Sequence, residues 1–155
     1  MKRIILISAA IISMLISFNS FAQRMTPEEQ ASAAVGTRQA VFKLLAFNMG
    51  PLQGMARGGD YDEAVAVQAI ERMQILASMI PEVFANDTTT YNLETRALNG
   101  IWSDIDGFTS AAHNLSMGAS EALSIIDSEG ADGVRNAIQA IGPNCGACHD
   151  EFRAE

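Results

Sequence analysis

The sequence predicts an all-α protein, an antiparallel four-helix bundle, on three observations. Four segments place apolar residues at alternating steps of three and four, the spacing of a seam buried between helices. Most connections between them are short and carry Gly, Asn and Asp, so successive helices fold back on one another. Both cysteines of the chain fall on the seam of the last segment, within Cys145-Gly-Ala-Cys148-His149.

The chain opens with a stretch that does not belong to the bundle. Lys2 and Arg3 precede an apolar run from Ile4 to Phe18, and Ser20-Phe21-Ala22 follows. This is the pattern of a cleavable signal peptide, so residues 1–22 are expected to be removed and residues 23–155 to form the exported domain. A membrane anchor is the competing reading, but the run is short and ends in a cleavage signal. No second long apolar run follows, so the mature form is expected to be free of the membrane. Loss of Lys2 and Arg3 takes the net charge from -8 to -10. So acidic a surface disfavours nucleic acid and anionic lipid and favours a basic partner.

The first helix starts at Thr26-Pro27-Glu28-Glu29, with Thr26 as N-cap, Pro27 in the first helical position and Glu29 closing a capping box. Its seam runs Val35, Arg38, Phe42, Leu45, Met49, Leu52, and Gly50-Pro51 is expected to kink or end it. Arg38 is out of place on an apolar stripe. It either meets a buried anion or snorkels from a partly buried position. Gly58-Gly59 breaks the chain, and Asp60-Tyr61-Asp62-Glu63 starts a second helix. That helix buries Ala66, Ile70, Met73, Leu76, Ala77 and Ile80, and Pro81 is expected to end it. The methionines of the mature chain read mostly as core filling.

Residues 82–100 have no clear period. So long a connection is expected to cross the bundle or cover a cofactor, packed down by Tyr91, Leu93 and Leu98. The third helix begins near Ser103 or Asp104, with Ile101, Ile105, Phe108, Ala112, Leu115, Ala119, Ala122 and Ile126 as its seam and Trp102 sealing its start. His113 lies off that seam and reads as a surface residue. After a turn at Glu129-Gly130-Ala131-Asp132, the fourth helix carries Val134, Ile138, Ile141, Cys145, Cys148 and Phe152, with Gly142-Pro143 facing outward. The small residues of the third helix leave room for a flat macrocycle.

C-x-x-C-H is the attachment signature of haem c: two thiols form thioethers with the vinyl groups and the following histidine ligates iron. On a helix Cys145, Cys148 and His149 stand at i, i+3 and i+4 and project from one face. A redox dithiol or half a zinc site are the alternatives. Zinc would need four ligands, and outside the motif only His113 offers another soft or imidazole donor; a redox dithiol would need an upstream strand, and none is seen. The cofactor expected is therefore one haem c, covalent through two thioethers, with His149 as the metal ligand.

The signal peptide, the four helices, Arg38-Gln39, Ile101-Trp102-Ser103-Asp104 and Cys145-Gly-Ala-Cys-His149-Asp-Glu-Phe-Arg153 together resemble cytochrome c′ over the whole mature chain. The resemblance implies a periplasmic homodimer with one five-coordinate haem that transfers electrons and binds nitric oxide or carbon monoxide. It assigns the thioethers to Cys145 and Cys148 and the iron bond to His149. It places Arg38 and Gln39 near the haem propionates and Arg153 beside the histidine face. Related cytochromes of the c-556 type carry a methionine ligand four residues after the arginine; here that position is Phe42, which cannot ligate iron. Phe152 stands where the family often has tyrosine. The expected function is thus a redox-active, gas-binding cytochrome with an unidentified redox partner. The alternative is a six-coordinate electron carrier of the c-556 type, with Met49 or another methionine reaching the iron after a helix shift, a geometrically poor arrangement for Met49, two turns beyond Phe42. An enzyme is not expected, because no acid–base pair accompanies the haem seam.

Overall fold

The computed structural model describes residues 25–155, so the expected signal peptide lies outside the described residues. Five helices follow in order: α1 (Pro27–Ala56), α2 (Glu63–Val83), the single-turn α3 (Gly100–Ser103), α4 (Ile105–Glu129) and α5 (Val134–Phe152). A 3-10 turn at Gly130–Gly133 links α4 to α5. Helices α1, α2, α4 and α5 make the expected antiparallel four-helix bundle.

The capping box at the start of α1 forms as read: the Thr26 hydroxyl accepts from the Glu29 amide at 3.2 Å, and the Glu29 carboxylate accepts from the Thr26 amide at 2.7 Å. Pro51 neither ends nor visibly divides α1, which continues to Ala56. What stops it is Gly58, at φ +99°, a left-handed conformation that L side chains resist. There the Gly58 and Gly59 amides fold back to the carbonyls of Met55 and Gly54.

Within the expected start, Asp62 caps α2, its carboxylate accepting from the Val65 amide at 3.0 Å. The helix passes Pro81 and ends at Val83. Side chains take the carbonyls this end leaves free: Arg38 donates to Val83 O and Trp102 Nε1 donates to Phe84 O. A proline removes only one ladder bond, and these two donors secure the turn beyond it.

Ile105 departs from the expected seam and is 39% exposed. The reason is the break at Asp104, which closes the α3 turn and caps α4 through the Gly107 amide, so the buried stripe resumes at Phe108. Leu98 is also exposed. Tyr91 and Leu93 are half-buried, and buried Phe84 and Thr88 anchor the connection between α2 and α3 together with half-buried Ala97.

The backbones of α2 and α4, and of α4 and α5, approach closely, whereas α1 makes no comparable approach to another helix among the described residues. Gly118 permits one of these contacts: a Cβ there would lie 2.6 Å from Asn144 Nδ2 and closer still to the Ala140 carbonyl. Side chains fill the wider gap beside α1. Phe84 packs on Phe108 at 4.7 Å between centroids, with Phe42 against Phe84 and Phe152 against Phe108. This aromatic cluster floors the cavity described next.

Candidate functional site

A cavity of about 430 Å³ opens between α1, the connection after α2, and the end of α5. Arg38, Gln39, Phe42, Cys148, His149 and Arg153 all line it, so residues more than a hundred positions apart share one space. Cys145 does not reach the wall. It is half-buried one turn earlier on α5, its Sγ 3.8 Å from the Ile141 carbonyl. Helix α5 holds the motif in the i, i+3, i+4 register and runs unbroken through Gly142-Pro143.

Burial pushes both thiols up from their ordinary range, with the Cys145 and Glu151 charges adding to the effect at Cys148. Burial is also the main cause that pulls His149 down, helped by Arg153 and Arg96 and opposed by Asp150. A lowered value keeps the imidazole neutral, which is the form that binds a metal. His113 is exposed on α4, as expected.

Arg38 does not snorkel: it is 3% exposed. Its Nε donates to Val83 O at 2.9 Å, Nη1 to Thr88 Oγ1 at 2.8 Å, and Nη2 to Asn86 O. The guanidinium also lies over the rings of Phe84 and Trp102, at 4.7 and 5.2 Å. Burial pulls its pKa down and Asp87 partly restores it. Gln39, the next residue, is exposed and donates to Glu94 O at 3.2 Å. The polar pair of α1 therefore ties down the connecting segment as well as lining the cavity.

Lys43, Thr95, Arg96 and Ala97 also belong to the wall, and sequence reading missed them. Lys43 follows Phe42 directly and was in plain view; residues 95–97 lie in the stretch without a period. Four cations and no carboxylate line this cavity, in a chain whose acids outnumber its bases 18 to 10. Seven residues make the apolar part of the wall, Phe42, Ala46, Phe84, Ala97, Ile101, Phe108 and Phe152, and Gln39, Thr95, Cys148 and His149 complete it.

These residues fit a haem. The volume lies in the range of cofactor pockets, the floor is aromatic, and the basic residues suit two carboxylates. The zinc reading of C-x-x-C finds no support, since no group of three or more His, Cys, Asp or Glu converges among the described residues.

The comparisons agree with this geometry. The family model described as Cytochrome C′ matches residues 33–153. A cytochrome c-556 of Agrobacterium tumefaciens (strain II Chrys) is 30% identical over 120 residues, covering 77% of this chain and 95% of the relative. A cytochrome c′ of Cereibacter sphaeroides is 30% identical over 131 residues, covering 81% of this chain and 85% of the relative. The solved cytochrome c′ from Shewanella frigidimarina superposes with a TM-score of 0.71 at 26% identity, over 81% of this chain and 97% of that one. A bundle of this topology, with a C-x-x-C-H helix against a basic, aromatic-floored cavity, belongs to the cytochrome c′ family, and this chain is a mono-haem c-type cytochrome holding its haem c through its two cysteines.

Proposed function

We propose that this cytochrome acts in the periplasm as a redox protein whose iron is bound by His149 alone among its side chains and takes up nitric oxide or carbon monoxide. The observation that carries this reading is the character of the wall around Phe42. Phe42 is half-buried against Phe84, and the residues lining the cavity include no methionine and no histidine besides His149. A bound haem supplies an iron that changes valence and has one coordination position open to a small ligand.

The protein's own groups do the rest. Cys145 and Cys148 carry the thioethers, one turn apart on α5. His149 is kept neutral by burial and by the nearby arginines. Arg38 uses three of its five N–H donors on protein oxygens and keeps two, while Lys43 and Arg96 add charge for the propionates. Arg153 stands on the His149 side, and Phe42 and its aromatic neighbours exclude water and larger molecules. The role is electron transfer and gas binding. Exposed Leu44 and Phe47 on α1 supply an apolar face for a homodimer.

The six-coordinate reading keeps one observation in its favour: the c-556 relative is as similar to this chain as the cytochrome c′ of Cereibacter. Met49, its candidate ligand, is half-buried and lies outside the cavity wall. An absorption spectrum of the ferrous protein decides between them. Broad high-spin bands that change on adding carbon monoxide are expected; sharp, split low-spin bands indifferent to the gas would replace this reading with the carrier.

A further inference from the structure

Beyond Phe152 the chain leaves the helix that carries His149, its last tie to that helix being the Arg153 amide, which donates to His149 O at 3.2 Å. Helix α5 ends at Phe152, and Arg153 is extended, at φ -127° and ψ 132°. The connection before α3 takes over. Leu98 N donates to Phe152 O at 3.0 Å, Ala154 N donates to Arg96 O at 2.8 Å, and Ala97 faces Arg153 in an isolated antiparallel bridge. So short a ladder is marginal by itself. One side chain reinforces it: both Nε and Nη2 of Arg96 donate to the carbonyl of Ala154, at 3.0 and 2.7 Å.

Both partners of this ladder are cavity wall. Thr95, Arg96 and Ala97 line it from one side, and His149, Phe152 and Arg153 from the other. The stretch from Thr89 to Ala97 has few other ties to the bundle, the Gln39 contact to Glu94 O being one. We propose that Arg96 is a positioning residue, a latch that acts through the Ala154 carbonyl to hold the connection and Arg153 together and so keep the wall beside His149 closed. The inference rests on reading the cavity as the haem and gas site.

The test compares four haem-loaded proteins: the parent, Arg96→Ala, a chain ending at Arg153, and the two changes combined. The truncation leaves the Arg96 charge in place, removes its acceptor together with the Ala154 amide that donates to Arg96 O, and spares every buried residue. Two readings are taken, the exchange rate of the Leu98 amide and the association rate of carbon monoxide with the ferrous protein. Each single change is expected to raise both roughly tenfold, as loss of a forked, charge-assisted contact to one exposed carbonyl does. The combined change should fall well short of the sum of the two, because both break the contact between the Arg96 side chain and the Ala154 carbonyl. A silent truncation beside an active Arg96→Ala would overturn the latch and leave Arg96 acting by its charge. Fully additive effects, or Leu98 exchange unchanged in Arg96→Ala, would overturn it as well. Failure of the parent to bind carbon monoxide would count against the gas reading alone, and Leu98 exchange would then decide the latch.

Discussion

Phe42 and Arg38 lie one helical turn apart on α1, line the same cavity, and act by different physics. The phenyl ring of Phe42 packs on Phe84 at 6.1 Å between centroids and takes space that a small ligand would need. Phe42→Ala is therefore expected to speed carbon monoxide association by about tenfold or more while leaving the iron high-spin; flash photolysis would measure it, and an unchanged rate removes Phe42 from the entry path. Arg38 is held by three acceptors and two ring faces. Arg38→Ala strands the Val83 and Asn86 carbonyls and the Thr88 hydroxyl, and is expected to lower the unfolding free energy by about 3 kcal/mol in a urea titration. Arg38→Lys should recover little of it, because one ammonium cannot reach acceptors spread along the guanidinium fork.

Among the elements, the helix pairs differ in how near their backbones come, and glycine reports the difference. A Cβ on Gly118 would run into the Ala140 carbonyl and Asn144, so Gly118→Ala is expected to cost about 1–3 kcal/mol as α4 and α5 are forced apart. Gly36, on the exposed side of α1, has open space around it, and Gly36→Ala should stabilise by about 0.4–1 kcal/mol. Opposite signs for one substitution in two helices are checked by thermal melts. The start of α1 adds a pH dependence. Hydrogen bonds from the Thr26 amide and hydroxyl hold the Glu29 carboxyl below its ordinary value. A depressed folded value means stability present above the unfolded pKa and lost as pH falls through the folded one. The stability gap between the parent and Glu29→Gln should therefore be open at neutral pH and close below about pH 4.

For the molecule as a whole, the haem is part of the core. Three helices pack backbone to backbone, while α1 faces a cavity floored by Phe84, Phe108 and Phe152. Replacing Cys145 and Cys148 by serine blocks attachment and leaves that floor to water. The melting temperature of the double variant is expected to fall by roughly 10 °C or more, followed by circular dichroism, with helices still formed below the transition. An unchanged melt would mean that the bundle closes without its cofactor. The charge pattern also matters at this scale: a chain of net charge -8 gathers four cations and no carboxylate on the wall of one cavity, where two propionates would be neutralised.

Helix number, helix type and the attachment motif were legible along the chain because each is local. A seam of alternating steps, a capping box and an i, i+3, i+4 trio involve neighbours within one or two turns, and the backbone ladder carries them wherever the helix goes. Local rules also erred locally, at Pro51 and Pro81, where a later glycine or a distant side chain set the boundary. The wall of the haem cavity was decided by tertiary structure alone. Arg38 reaches 50 residues to Thr88 and Arg96 reaches 58 to Ala154, and contacts across such distances leave no period to read. Only folding brings the irregular connection against the chain end, because the carbonyls that hold it belong to other elements.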